Sequence, residues 1–314
     1  MELKFSFPPP AIQTLADLAD VLNVERWCLG KAINSSRSFY RVFQLPKRSG
    51  GYRSISAPVP SLLSVQKIIY KSILSSVVCS DRAHGFLSGR SVRSHAEVHL
   101  NGRDFLLTDI ENFSDSIKIE DVVSIFSKIG YVHEIASALA LLCTLDGSLP
   151  QGSPTSPVLS NIYSIRLDNR LSNICSDLNI SYSRYADDMV FSGDKMSLGF
   201  LRLAQSIINS EGLNLNSKKT MFAKSPSRLI ITGISISNRT LKLPKETKRA
   251  LRFKAHFIAR NGILSELERQ ETADPFYIDR IIGQLCFWSF IEPENRFPKI
   301  YKNVIKNIIN NNPS

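Results

Sequence analysis

Tyr185-Ala186-Asp187-Asp188 lies between two short apolar runs, Ile180 to Tyr182 and Met189 to Phe191, a pattern that predicts a hairpin with two adjacent carboxylates at its tip. Neighbouring carboxylates repel and disfavour joint ionisation, so an ionised pair between hydrophobic strands calls for a cation. Hard divalent ions such as Mg2+ take oxygen ligands and keep open positions for phosphate oxygens, which directs the pair towards phosphoryl transfer. An Asp-Asp pair by itself also fits a solvated turn.

A third carboxylate weighs against that alternative. Phe105 to Ile110 is a strand-like apolar run interrupted by Asp109, followed by a polar turn and a helical stretch from about Lys118 to Lys128. Pairing this strand centrally against the hairpin, as in a split β-α-β sheet, sets Asp109 beside Asp187. Two carboxylates could then bridge two metal ions roughly 3.5 to 4 Å apart, one activating a 3'-hydroxyl and the other stabilising leaving pyrophosphate. Taken alone, Asp109 also fits a strand-end residue capping the next turn.

Between the acids runs Leu149-Pro150-Gln151-Gly152-Ser153-Pro154-Thr155-Ser156-Pro157. Ser156 and Pro157 predict an N-cap followed by proline at the first helical position, with a helix continuing through Ile162, Ile165 and Leu171. Gln-Gly-x-x-x-Ser-Pro followed by Tyr-Ala-Asp-Asp resembles the ordered motif pair of reverse transcriptases. Lys47-Arg48-Ser49-Gly50-Gly51-Tyr52-Arg53 resembles their fingers hairpin, in which Arg53 would hold the incoming triphosphate through its planar fork. Gly212 to Thr220 resembles the element after the catalytic hairpin, where Lys219 matches a lysine that approaches the pyrophosphate. Each basic cluster in isolation also fits an exposed turn.

Two shorter segments narrow the resemblance to retron reverse transcriptases. His95-Ala96-Glu97-Val98-His99 is similar to their Asn-Ala-x-x-His segment, with histidine in place of asparagine, and Ile231-Thr232-Gly233 is similar to their Val-Thr-Gly. The resemblance covers roughly residues 39 to 290. It implies an α+β, right-hand polymerase architecture with fingers, a ferredoxin-like palm and a mostly helical thumb. It further implies an enzyme that copies part of its own structured noncoding RNA into DNA from an internal guanosine 2'-hydroxyl. The branched RNA-DNA hybrid (msDNA) then pairs with an effector protein in antiphage defence. The implied catalytic residues are Asp109, Asp187 and Asp188, and the metal set, for two Mg2+ ions, is Asp109, Ile110, Asp187 and Asp188. Nucleotide binding falls to Arg53, Phe113, Ser114, Gln151, Gly152 and Lys219. Relatives carry a double aromatic where this chain has Phe113-Ser114, so the position whose ring excludes a ribose 2'-hydroxyl is here a serine.

His95 and His99 are also spaced for a shared helical face, but Glu97 is misplaced for a zinc-protease helix and no third histidine or cysteine ligand is near. The resemblance instead places His99 on nucleic acid, with ordinary packing as the alternative.

The chain of 314 residues has 39 basic against 28 acidic side chains, a net charge of +11 that favours a phosphate-bearing partner. Membrane insertion is not expected: the apolar stretch Ile135 to Cys143 is far below the ~20 residues that span a bilayer, and Met1 to Pro10 lacks a secretory pattern. Five scattered cysteines without Cys-x-x-Cys spacing fit reduced thiols in a cytoplasmic protein.

Apolar spacing predicts helices over Ala11 to Leu22, Pro60 to Val78, and near 118–145, 156–176 and 197–211, with a hairpin over 39–57. Residues 1–103 are read as amino-terminal helices and fingers, 104–236 as palm and 237–314 as thumb. From Pro244 to Arg260 a basic amphipathic helix carries Lys245, Lys248, Arg249 and Arg252, suited to gripping duplex phosphates without reading bases. A solvated charged face is the alternative there. Leu285, Phe287, Trp288 and Phe290 read as thumb core. The alternative functions are another bacterial reverse transcriptase, such as a group II intron type, or a noncatalytic RNA-binding scaffold with the same fold.

Overall fold

Thr14 starts the first helix, Leu15–Leu22: its hydroxyl accepts the Asp17 amide at 3.1 Å while Asp17 accepts the Thr14 amide at 2.9 Å. In this computed structural model, which describes residues 2–47, 50–224 and 229–311, the helix therefore begins at Leu15 and not at Ala11. Ile12 is still buried, from the segment ahead of the helix.

Strands β1 (Tyr40–Pro46) and β2 (Tyr52–Pro58) form an antiparallel hairpin with Leu45 opposite Arg53. Gly50 and Gly51 take φ of 87° and 76°, a left-handed pair that glycine adopts without cost to a side chain. Arg48 and Ser49 of the basic turn lie outside the described residues. Pro60 then opens the helix Pro60–Ser72 at its first turn, and a short 3-10 turn, Leu74–Ser76, follows.

The acidic residues sit on a four-stranded sheet of β3 (Asp104–Asp109), β4 (Ser181–Tyr185), β5 (Asp188–Gly193) and β6 (Met221–Lys224), ordered β4-β5-β3-β6. The first strand in sequence is thus internal and the hairpin joins it by its second strand, which is the split β-α-β plan of a ferredoxin-like palm. Helices Ile119–Ile129 and His133–Cys143 follow β3, and Leu198–Ser210 follows β5. Tyr182 stacks on Phe191 at 4.8 Å, and Phe191 meets Phe200 edge-on at 5.2 Å, so the hairpin's inward side chains fuse with the helical core.

The helix expected from Ser156 onward is two helices, Ser156–Tyr163 and Ile165–Asp177, with Ser164 between them. Thr155 is the capping position, so Ser156 is the first helical residue and Pro157 the second; the Ser156 hydroxyl bonds back to the Pro150 carbonyl at 2.8 Å instead of capping.

The chain forms two compact units, 1–91 with 104–222 and 92–103 with 223–314. The second unit holds a meander of β7 (Leu229–Ile231), β8 (Ile234–Ser237) and β9 (Thr240–Lys242), on which the helix Val92–Glu97 packs. Segments 92–103 and 223–236 therefore cluster with the carboxy-terminal helices, away from the boundaries at 103 and 236 drawn from sequence. Ile231-Thr232-Gly233 makes the first turn of the meander, with Thr232 and Gly233 both at positive φ as a two-residue hairpin turn requires. Three helices complete the unit, Lys245–Arg269, Tyr277–Ile291 and Arg296–Asn311, around Leu251, Ala255, Ile258, Ile281, Leu285, Trp288 and Ile305. The first bends at Gly262, whose φ is 85°. Phe287 and Phe290, expected in this core, are 38% and 45% exposed.

Candidate active site

The β4-β5 turn is Ala186-Asp187, and Ala186 is left-handed at φ 56°. Such a conformation costs a non-glycine residue about 1–2 kcal/mol, so the surrounding structure has to impose it. The register places Asp109 directly opposite Asp188, and the Ile110 amide donates to the Asp187 carbonyl at 3.1 Å. Three carboxylates thus meet at one end of the sheet. Burial, then the Asp109 charge, raises the Asp187 pKa. Asp188 is pushed up to about 6 by burial, then by Asp187 and Asp109. Ile110 has its apolar side chain in the core, so any contribution to a metal would come from its backbone carbonyl.

Lys219 reaches the same place from the turn ahead of β6. The Asn216 amide donates to the Asp109 carbonyl at 2.8 Å and Ile110 pairs with Leu215, which brings the Lys219 ammonium to 2.7 Å from Asp109 Oδ2. That bond, acting with the three acids against partial burial, raises the lysine pKa. The expected Lys219 position beside pyrophosphate is, in this structure, a bond to the first aspartate.

Beneath the turn lies a network that the motifs do not reveal. Asp168 and Arg184 are wholly buried; Asp168 Oδ1 accepts Tyr182 Oη at 2.8 Å and Arg184 Nε at 2.9 Å, and Oδ2 accepts Arg184 Nη2 at 2.7 Å. Arg184 Nη1 donates to Asn161 Oδ1 at 3.1 Å and to the Ala186 carbonyl at 3.0 Å. Burial opposes the guanidinium charge, and Asp168 more than offsets it, so the arginine pKa is raised. Removing one partner of such a pair costs about 3–5 kcal/mol, because the other is left charged and unpaired. The available signal was an acid on the apolar stripe of a helix and an arginine inside a strand.

The Gln151-Gly152 loop docks on the amino-terminal hairpin. The Ser56 amide donates to the Gln151 carbonyl at 2.7 Å, and Gly152, at φ 129°, lies so close that a Cβ would stand 2.8 Å from the Ser56 carbonyl oxygen. Only glycine fits both conditions. Buried Gln66, unremarked in the sequence, ties the loop further by accepting from Ser153 at 2.9 Å and donating to Tyr40 at 2.7 Å.

The reverse transcriptase (RNA-dependent DNA polymerase) family matches residues 45–236. The Ec86 retron reverse transcriptase of Escherichia coli is 30% identical over 263 residues, covering 82% of each chain. The chain belongs to the reverse transcriptases, and within them to the retron type. The Mx65 retron enzyme of Myxococcus xanthus is 35% identical over 71% of this chain, which spans 56% of that relative's length. The Se72 retron enzyme of Salmonella heidelberg (strain 579083-10) is 30% identical over 80% of this chain and 69% of its own. Among solved structures, telomerase from Candida albicans aligns at 10% identity with a TM-score of 0.44, over 86% of this chain and 63% of that one.

Reverse transcriptases are RNA-directed DNA polymerases that depend on divalent metal. In this reverse transcriptase, no three His, Cys, Asp or Glu side chains among the described residues form a ready-made metal cage. The donors present are carboxylate oxygens, the set a hard divalent ion takes when water and phosphate complete its shell. Burial first, and then the neighbouring acids, raise the pKa of Asp187 and Asp188 even with Lys219 beside them, so a cation there would favour their ionised forms. The residues fit such an ion.

Arg53 is exposed on β2, and Gln151 is exposed in its loop. Phe113 is 7% exposed and belongs to the core, while Ser114 beside it is half-buried in the short helix Phe113–Ser116. His99, expected on nucleic acid, is wholly buried edge-on to His95 at 5.9 Å, so in this structure it packs and presents no surface. The four basic residues of the helix Lys245–Arg269 divide. Lys245 and Arg249 are exposed, and Arg252 is exposed with its guanidinium 5.5 Å from the Trp288 and Phe297 rings. Lys248 instead bonds Glu292 at 3.0 Å with both side chains mostly covered, a structural ion pair that withdraws it from the phosphate-facing set.

Proposed function

We propose that this reverse transcriptase copies a cognate structured noncoding RNA into DNA, starting from the 2'-hydroxyl of an internal guanosine, so that its product is a branched RNA-DNA hybrid (msDNA). The observation that carries the catalytic part is the register of β3 on β5, with Asp109 opposite Asp188 and Asp187 at the adjoining turn. Similarity to named retron enzymes supports the RNA partner and the priming mode. The same similarity supports an effector protein as partner, an antiphage role and a cytoplasmic location. No described helix is long and apolar enough to cross a membrane.

Asp109 and Asp187 are the proposed direct metal ligands, with Asp188 completing the acidic set and Mg2+ the proposed ion, two per site. Bound there, the ions would lower the pKa of the attacking hydroxyl and neutralise charge on the triphosphate. Once Asp109 is engaged, the Lys219 ammonium, its side chain 59% exposed, can turn to phosphate oxygens, and Arg53 approaches the same charge from the hairpin. Gln151 and Gly152 shape the nucleotide pocket through their bond to β2. The fingers fall within residues 1–91, the palm within 104–222 and the thumb within 237–314, where Lys245, Arg249 and Arg252 hold phosphates.

Sequencing nucleic acid that copurifies with the protein tests the reading. DNA joined to RNA through a 2',5' branch is expected. Unbranched DNA from a Mg2+-dependent extension would keep the polymerase and discard the retron priming; no extension at all would leave an RNA-binding scaffold.

A further inference from the structure

Arg184 makes two more contacts than a buried ion pair needs. Asp168 takes Nε and Nη2, which satisfies the charge, yet Nη1 leaves that pair to donate to Asn161 and to the Ala186 carbonyl. That carbonyl belongs to the peptide from which Asp187 departs, at the residue held left-handed. Fixing its oxygen fixes the plane of the peptide and so the bond from which Asp187 starts, while the Ile110 amide holds the far side of that residue through its carbonyl at 3.1 Å. The opposite side of the turn is closed by Gly85, where a Cβ would stand 2.9 Å from the Ala186 nitrogen. Gly85 is itself held through its carbonyl by Asn161 Nδ2 at 2.8 Å. Backbone bonds from His84 to the Arg184 carbonyl and from Arg184 to the Arg82 carbonyl, both 2.7 Å, bind the segment 82–84 to β4. Asn161 therefore joins the two sides of one clamp around a turn that its own sequence does not favour.

We propose that Arg184 is a positioning residue, which sets the Asp187 carboxylate through the Ala186 carbonyl and is itself aimed by Asp168 and Asn161. The inference rests on the reading that Asp187 and Asp188 carry catalysis. Misplacing a reacting group by about 1 Å can cost on the order of 10²-fold in rate, so a clamp with sub-ångström tolerance has a kinetic signature distinct from stability.

The test uses the full chain and a variant that restores packing without the bonds: Asp168→Leu, Tyr182→Phe and Arg184→Met together, apolar groups of similar size. Four quantities are measured: the unfolding midpoint, kcat and KM for a deoxynucleotide on a primed RNA template, and Mn2+ binding by the electron paramagnetic resonance of the free ion. The expected result is a midpoint close to wild type, kcat lower by about 10²-fold with KM within roughly twofold, and clearly weaker Mn2+ binding. A folded variant with wild-type kcat and Mn2+ affinity would reduce the network to a structural ion pair and overturn the proposal. If the triple variant does not fold, Arg184→Lys, which keeps a charge on Asp168 but lacks the fork, is judged by the same criteria. If neither folds, Asn161→Ala decides, since it removes the group that aims Nη1 and leaves both bonds to Asp168 in place: loss of kcat and Mn2+ binding in a folded variant supports the clamp, and unchanged values overturn it. Asp187→Asn with Asp188→Asn separates this inference from the reading beneath it. Extension by that double variant defeats the catalytic assignment, whereas its inactivity beside active Arg184 variants defeats the clamp alone.

Discussion

On the proposed reading Ser114 takes the place of the second aromatic of a pair, and the neighbouring ring is not available to replace it. Phe113 is 7% exposed and packed in the core, so closing on a ribose would require it to leave that core. A small hydroxyl leaves room for a 2'-hydroxyl and can bond it. Ser114→Phe should therefore raise the preference for deoxynucleotides by about tenfold or more, read as the ratio of kcat/KM for matched ribo and deoxy substrates. Strong wild-type rejection of ribonucleotides that the variant leaves unchanged would place the gate elsewhere. His84 yields a second prediction at this scale. It is 2% exposed, and burial followed by the charges of Arg90 and Arg82 lowers its pKa from 6.5 to about 4. The unfolded chain thus binds a proton that the folded chain refuses between those values. Stability from this residue is present above pH 6.5 and is lost as pH falls towards 4, by at most about 1.4 kcal/mol per pH unit. Asp187 and Asp188, with raised pKa, act in the opposite direction over part of this range. The difference between wild type and His84→Asn isolates the histidine: denaturant midpoints measured from pH 7 to 4.5 should fall more steeply in wild type, and parallel curves would refute the assignment.

Among the elements, the Gln151-Gly152 loop and the basic helix show what a motif can and cannot convey. Gly152→Ala places a side chain on a residue at φ 129° and against the Ser56 carbonyl, so it should cost about 1–3 kcal/mol or undock the loop from β2. Either outcome lowers the denaturant midpoint or raises KM for nucleotide; a variant with both values unchanged would mean that the loop does not depend on this contact. On the helix Lys245–Arg269, Lys245→Gln with Arg249→Gln should weaken RNA binding and flatten the slope of log affinity against log salt, since fewer counterions are released. Lys248→Gln should instead lower thermal stability with little change in that slope, because its charge is engaged by Glu292. A shared slope change would return Lys248 to the RNA-facing set. Local patterns made the hairpin, β3 and most helices legible, because alternation, caps and prolines act within a few residues. The Lys248–Glu292 pair, the Lys219–Asp109 bond and the Arg184–Asp168 pair join residues distant in sequence, with no periodicity connecting them, so tertiary packing alone decides which charges face water. The same holds for His99: its spacing from His95 was visible, but its burial was set by segments far along the chain.

At the scale of the whole molecule, the proposed chemistry and the proposed electrostatic attraction fall in different parts of the chain. The three acids and Lys219 belong to the unit of residues 1–91 and 104–222, while the helix carrying Lys245, Arg249 and Arg252 belongs to the unit of 92–103 and 223–314. A net charge of +11 draws phosphate wherever the basic side chains are exposed, and that attraction does not depend on two half-buried carboxylates. Asp187→Asn with Asp188→Asn should consequently abolish DNA synthesis while RNA binding stays within a few-fold of wild type. Folding should persist, since the substitutions remove repelling charges from a site where burial already raises both pKa values. Removing like charges predicts an unfolding midpoint at pH 7 equal to or above that of wild type, and lower Mn2+ affinity in the same preparation. Binding and extension should be measured on one sample at one salt concentration, because phosphate contacts make affinity steeply salt-dependent. Ordinary extension by the folded double variant would remove these acids from catalysis. Loss of RNA binding together with activity, in a variant that melts as wild type does, would show instead that the acidic site and the basic helix are not separable and that RNA is held through the catalytic cations.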